Sequence, residues 1–366
     1  RSTLDRSSAA SDVYKRQAKQ LIKKKIASSK RAMASIQVEW DKLRKAGAWD
    51  ESKVREYHHV AQEHCRDGTP VHFGRVFPLC HEKDSELDLP EEQKLYKGRV
   101  VFQGNEVRDQ FGDYAIFQEM SSAPATLAAA KMADCYGLFP GNGVEQCDAK
   151  QAYIQSRIKG TPTWVFLPED QWPAHWRGKY KRPVCPLVLA LYGHPLAGAA
   201  WNTLLAQWLL THSWERVADA GEDSLYVRRF AKTRAGTRCS VVLAVYTDDL
   251  IVSGQREEAW ICFWEIHFHF GFSKGSINNP YGRSVLGMEL VRGPHETARR
   301  SLFLHQRGYV EKICDEYAQE AGISGGAKAF RRFATPMKLR PDAADAAKQT
   351  QPGRYQEAAP KHVGRL

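Results

Sequence analysis

The stretch Cys239 to Gly254, CSVVLAVYTDDLIVSG, constrains this chain more than any other. Two apolar runs crowded with Val, Ile and Leu flank Tyr246-Thr247-Asp248-Asp249. Runs of that composition read as buried strands, and the polar centre reads as the turn of a hairpin. A tight hairpin holds two adjacent carboxylates at one end of a sheet, beside walls that cannot neutralise them. Anions so close repel, and one takes up a proton unless a cation sits between them. An ordinary Asp-rich turn has the same local pattern, so the stretch alone does not decide between a metal site and a turn.

A second stretch bears on that choice. Gly143 to Tyr153, GVEQCDAKQAY, follows the turn signal Phe139-Pro140-Gly141-Asn142-Gly143 and carries Asp148 at the end of a short run. If the run is a strand beside the hairpin, Asp148 reaches the same sheet end as Asp248. Three carboxylates could then hold two divalent ions, the arrangement that in-line attack of a hydroxyl on a phosphate needs. Magnesium suits an all-oxygen site shared with substrate phosphates, with manganese as its substitute.

The 366 residues are enough for more than one subdomain, and a formal charge of +11 fits a polyanionic partner, either nucleic acid or an acidic membrane. No apolar run is long enough to span a bilayer, and no signal-peptide pattern opens the chain. The eight cysteines include no CxxC pair and read as reduced packing thiols of an intracellular protein. The group His58, His59, His64, Cys65, His72, Cys80 and His81 lacks the paired spacing of a structural zinc site, which favours a helix face followed by a loop.

Along the chain, residues 1–17 resemble a translated adaptor and are set aside. Residues 18–47 read as a helix with a basic face and Gly47 as its C-cap, contacting phosphate or simply solvated. A second helical stretch covers Glu51 to Glu63. Val71 to Leu79 and Tyr96 to Gln103 read as strands, joined by the charged loop His81 to Gln93. Pro124 to Gly137 reads as a helix packing through Leu127, Ala130 and Met132. Thr161 to Leu167 and Ser224 to Arg229 read as strands, Pro168 to Pro186 as a surface excursion, and Ala199 to Thr211 and Glu257 to Phe270 as helices, the aromatics of the last as core. Val310, Ile313, Cys314 and Tyr317 recur at helical spacing. After Ala334-Thr335-Pro336-Met337 the composition is that of a weakly packed connector.

The strings YKGRVVFQGN from Tyr96, QCDAKQAYIQ from Gln146, ALYGHPLAGAAW from Ala190, DSLYV from Asp223, VYTDDLIVSG from Val245, LGMEL from Leu286, LHQRGYVEKI from Leu304 and ATPM from Ala334 stand in one order. In that order and spacing the chain, from about Ile36 onward, resembles the reverse transcriptase of copia-type long-terminal-repeat retrotransposons. The resemblance implies an α+β right-hand polymerase: fingers and palm on an antiparallel palm sheet backed by helices, with a partial thumb. It implies an N-terminal helical arm over 18–66, fingers and palm over 67–295, a partial thumb over 296–340 and a truncated connector over 341–366. Asp148, Asp248 and Asp249 with the Ala149 carbonyl become the ligands of two magnesium ions. Lys97, Arg99, Tyr153, Tyr192 and Gly193 become nucleotide contacts, Tyr153 excluding a ribose 2′-hydroxyl. Lys274 corresponds to a lysine that protonates pyrophosphate, and Gly287 and Met288 to the primer grip. After Tyr192-Gly193 the family commonly has Leu-Lys-Gln-Ser-Pro, where this chain has His194-Pro195-Leu196-Ala197-Gly198, which removes two polar contacts from that loop.

The implied activity is template-directed DNA synthesis from deoxynucleotides on an RNA or DNA template with a primer. The implied setting is a fragment of a polyprotein whose ribonuclease H and integrase parts lie elsewhere, working in cytoplasmic virus-like particles and the nucleus. The rivals are a truncated remnant that binds nucleic acid without catalysis, and an RNA-dependent RNA polymerase, which Tyr153 disfavours.

Overall fold

The computed structural model describes residues 18–83, 90–117, 124–217, 223–231, 236, 238–273, 283–285, 288–292, 302–305 and 307–329. Contacts divide the chain into two units, Arg1–Asn279 and Pro280–Leu366. In the first, β1 (Ala18–Gln20) leads into α1 (Lys23–Ser28), α2 (Lys30–Ala46), β2 (Arg55–Glu56), α3 (Tyr57–Asp67), β3 (His72–Lys83) and β4 (Leu95–Phe102). Then come α4 (Leu127–Tyr136), β5 (Asn142–Asp148), β6 (Thr163–Phe166), β7 (Pro183–Pro186), α5 (Ala197–Thr211), β8 (Glu215–Arg216), β9 (Leu225–Phe230), β10 (Cys239–Tyr246), β11 (Asp249–Gln255) and α6 (Arg256–Phe270).

The sheet that carries the acidic hairpin has the order β5-β11-β10-β9-β8, antiparallel throughout. Side chains alternate between faces along each strand. Cys147, Val241, Leu243, Val245, Leu250 and Val252 form one face, closed by Trp201 and Leu205 of α5 and by Ala259, Cys262, Phe263 and Ile266 of α6. Their neighbours, Val144, Gln146 and Asp148 among them, belong to the opposite face, where α4 lies. At the end of α4 a Cβ on Gly137 would stand 1.9 Å from Val144 Cγ2, so only glycine lets that helix sit down. The buried residues of α4 are Ala129, Ala130, Ala133 and Asp134, whereas Leu127 and Met132 are exposed. The larger side chains expected to pack here point to solvent, because three alanines allow a closer helix-to-sheet approach.

The other sheet of this unit is built on the long strand β3. His72–Arg75 pair in parallel with β6, which pairs with β7 and through it with β2. The remainder of β3 pairs with β4, and its last residues also pair with β1. Helix α2 packs on β4 through buried Ala32, Ile36, Trp40 and Leu43. The Ser29 hydroxyl caps it by accepting the Ala32 N–H at 3.2 Å, and Gly47 ends it at φ 72. Ser29 therefore breaks the long helix expected over 18–47, and residues 18–20 are strand instead. The stretch read as a surface excursion belongs to the core: Trp176, Val184 and Cys185 are fully buried, and Trp172 Nε1 donates to the Leu167 carbonyl at 2.9 Å. Burying an indole the size of Trp176 stabilises the fold by roughly 2–3 kcal/mol, which outweighs the turn-forming bias of the surrounding prolines.

The end of β4 is tied to the loop between β7 and α5, where Phe102 N–H donates to the Tyr192 carbonyl at 2.8 Å. Gly193 has φ 87, and a Cβ there would stand 2.2 Å from the Phe102 carbonyl oxygen. The next residue, His194, is buried against the Phe102 ring, and its Nδ1 accepts the Leu196 N–H at 3.1 Å, which fixes the proton on Nε2.

In the second unit β12 (Arg283–Val285), β13 (Met288–Arg292) and β14 (Leu302–His305) form an antiparallel sheet, followed by α7 (Arg307–Glu320). Helix α7 buries Ile313 and Ala318, while Val310, expected on its apolar stripe, is exposed. Helix α6 departs in the same way from the all-core expectation: Phe263 and Phe270 are buried, but Trp260 and Phe268 are exposed.

Burial, reinforced by His72, holds the His194 pKa down to about 4. The unfolded chain therefore takes up a proton that the folded chain refuses, and stability drains away as pH falls from the ordinary histidine value through that range. Urea unfolding at pH 7.5, 5.5 and 4.5 should show a loss of about 3 kcal/mol attributable to this group. His194→Asn, which keeps an acceptor for Leu196, should flatten the dependence.

Candidate active site

Asp148 is the last residue of β5, Asp249 the first of β11, and the register sets them opposite each other. Asp249 also pairs with Tyr246 of β10, leaving Thr247-Asp248 as a two-residue turn. Thr247 adopts φ 57, left-handed backbone that a β-branched residue rarely takes. Two bonds hold it there: the Trp201 indole N–H donates to the Thr247 carbonyl at 2.6 Å, and the Ala149 N–H donates to the Asp248 carbonyl at 2.6 Å. The chain after β5 is tied on its other side, where Ser273 N–H donates to the Asp148 carbonyl at 2.9 Å and Lys150 N–H to that of Gly271 at 3.1 Å.

Asp148 and Asp248, a hundred residues apart, thus come within hydrogen-bonding reach of each other. Burial and the neighbouring Asp148 charge push the Asp248 pKa up to about 6, against an opposing pull from Arg99. Asp148 and Asp248 offer hard oxygen donors, and the repulsion between them is what a shared divalent cation relieves, so the donor set fits magnesium or manganese. Among the described residues no three His, Cys, Asp or Glu side chains form a metal-holding group.

The cations come from β4. A Cβ on Gly98 would stand 2.5 Å from the Ser35 carbonyl oxygen, so helix α2 presses its backbone on that face of the strand. Lys97 and Arg99, one residue to either side, therefore turn to the opposite face. Surrounding protein lowers the Lys97 pKa, Arg99 and Lys83 adding to the effect, while Asp148 and Asp248 oppose it. The Arg99 guanidinium lies 4.8 Å from the Tyr192 ring centre, and the Tyr192 and Tyr153 rings are 4.8 Å apart. Burial and Asp248 raise both phenols, that of Tyr192 to about 12, so both stay protonated at neutral pH. Tyr153 stands at the seam of the two cores, since Ala152 faces one and Ile154 the other.

Six side chains named from the sequence, Asp148, Asp248, Lys97, Arg99, Tyr153 and Tyr192, are therefore brought together. Lys274 and Gly287 lie outside the described residues, and Met288 opens β13 in the second unit. One contributor lies outside the sequence reading: Trp201 reads there only as a helix residue, and a tryptophan closing the ALYGHPLAGAAW string is the one available signal.

A second feature lies on the β3–β6 sheet, where a cavity of about 370 Å³ is lined by Tyr57, Phe73, Arg75, Arg108, Phe166 and Arg182. The Arg182 guanidinium stacks 4.4 Å from the Tyr57 ring centre and 5.5 Å from that of Phe166. Glu106 is the cavity's acid, and it pairs with Arg108 at 3.5 Å.

Because the folded value of Asp248 lies above its unfolded one, the carboxylate pair costs stability as pH rises from about 4 through 6. In buffer containing a chelator, Asp248→Asn should therefore be more stable than the parent at pH 8, by about 2 kcal/mol, with the difference shrinking toward pH 4. Chemical denaturation at the two pH values checks this.

A search of curated proteins finds no match to the chain. The family model described as reverse transcriptase (RNA-dependent DNA polymerase) matches residues 79–275, more than half of the chain and the segment that holds the carboxylates, the β4 cations and both tyrosines. The strand-end carboxylates and the matched span together place this chain in the reverse transcriptase family of copia type, whose members are RNA-directed DNA polymerases.

Proposed function

We propose that this chain extends a primer along a template by two-metal phosphoryl transfer, within a right-hand polymerase in which the β3–β4 sheet and α2 form the fingers and the β5–β11 sheet the palm. The primer 3′-hydroxyl oxygen bonds to the α-phosphorus of a deoxynucleotide. The bridging bond to the β-phosphate breaks, pyrophosphate leaves, and the hydroxyl proton passes to solvent. The observation that carries this reading is the approach of Asp148, at the end of β5, to Asp248 in the β10–β11 turn, tied by the Ala149 N–H on the Asp248 carbonyl at 2.6 Å, with Lys97 and Arg99 beside them.

Asp148 and Asp248, with the Ala149 carbonyl, are the residues to hold two magnesium ions, and Asp249 shapes the field beside them. When bound, the ions lower the hydroxyl pKa and neutralise the phosphates. Lys97 and Arg99 bind the triphosphate and stabilise charge that develops during transfer. Arg99 is oriented by the Tyr192 face. The Tyr153 ring occupies the place of a 2′-hydroxyl and selects deoxynucleotides. Lys274 would protonate the leaving pyrophosphate, and Gly287 and Met288 would grip the primer end, with α7 as part of the thumb. The cavity of Tyr57, Phe166, Arg75 and Arg182 suits an unpaired template strand, since guanidinium groups meet phosphates and aromatic faces stack bases.

A remnant that binds nucleic acid without synthesis is the second reading. It is favoured by the loop at His194, whose ring nitrogen is occupied by Leu196 rather than offered to a nucleotide.

Asp148→Asn and Asp248→Asn should each lower primer extension by at least about a thousandfold while primer–template affinity stays within about twofold. Retained extension in either variant would refute the metal assignment, and an inactive parent with intact duplex binding would favour the remnant. Arg182→Ala should weaken binding of templates with a single-stranded overhang by about threefold to tenfold and reduce the slope of log affinity against log salt by about one, as read by fluorescence anisotropy. Blunt duplexes should bind unchanged.

A further inference from the structure

Trp201 is fully buried in the first turns of α5, remote in sequence from both carboxylates. Its indole N–H donates to the carbonyl of Thr247, the residue held at φ 57. That backbone conformation is strained for a β-branched side chain and persists only where its surroundings impose it. The same ring packs edge-on against Phe270, with centroids 5.2 Å apart at 80°. Phe270 ends α6, and the next three residues are those that brace β5: Gly271 accepts the Lys150 N–H, Phe272 bridges Ala149, and Ser273 donates to the Asp148 carbonyl. One side chain therefore abuts both the turn that carries Asp248 and the segment that steadies Asp148.

We propose that Trp201 is a positioning residue for the carboxylate pair: its indole N–H holds the Thr247 carbonyl and thereby sets where the Asp248 carboxylate stands relative to that of Asp148. The catalytic consequence rests on the polymerase reading above, whereas the hold on the turn does not. Packing alone would need only the ring. The N–H matters because the Thr247 carbonyl, half-buried and held by the left-handed backbone, loses that donor without it, and the turn could relax.

The deciding variant replaces Trp201 by site-specific 3-benzothienylalanine, which keeps the shape of the ring and exchanges its N–H for sulfur. Trp201→Phe is the encoded companion, but it also removes ring area from a closed core. The readouts are steady-state primer extension and amide hydrogen exchange at Ala149, whose N–H bonds to the Asp248 carbonyl. With the analogue, kcat should fall by about tenfold to a hundredfold with KM for deoxynucleotide and primer–template within about twofold, since misplacing a reacting group by an ångström has effects of that size. Exchange at Ala149 should quicken by about tenfold as the turn loosens. Unchanged exchange at Ala149 overturns the proposal, and so does an unchanged kcat in an active enzyme. If the natural chain extends no primer at all, the polymerase reading fails instead, and the exchange comparison still decides whether Trp201 holds the turn.

Discussion

Two carboxylates crowded into one half-buried volume are the constraint on which the rest of this structure depends. Asp148 and Asp248 repel, burial sharpens the repulsion, and the Asp248 pKa rises in response. Nothing in the pair itself favours its own assembly. The surrounding framework supplies that stability: an antiparallel register that puts Asp148 at the hairpin end, backbone bonds on both sides of Ala149, and an indole that pins the turn. Such a place is costly in the absence of a cation and chemically suited to one.

Close approach of backbones is the second device. Gly98 admits α2 onto β4 and so directs Lys97 and Arg99 toward the acids. Gly193 admits the Tyr192 loop to the end of β4, and Gly137 admits α4 to the far face of the acidic sheet. Each is a position where one methyl group would push apart two elements that must touch for the site to exist. The alanine face of α4 acts by the same principle, giving up buried area per residue in exchange for a shorter distance.

Much of the arrangement was legible in the chain. The hairpin of β10 and β11, the strand ending at Asp148, the paired β3 and β4, the helices α5 and α6 and the stop at Gly47 all lie near where composition and turn residues indicated. Periodicity failed where partners at long range decided burial. Trp176 and Cys185 sit among prolines and read as surface, yet they fill the core beneath β6. Leu127, Met132 and Val310 read as core, yet they face solvent. A pattern along one segment reports which residues could be buried, while the shape of the opposing surface decides which are.

The sequence by itself determined the chemistry available: adjacent acids between apolar strands, a third acid ahead of them, and basic residues on a strand. These follow from residue type and local spacing, which act over a few positions. Only the tertiary structure decided that Asp148 approaches Asp248 rather than merely sharing a sheet end with it, that Lys97 acts on both and Arg99 on Asp248, and that Trp201 reaches across to hold Thr247. Those outcomes rest on register, helix docking and a single hydrogen bond between residues 46 positions apart, and no local propensity encodes them.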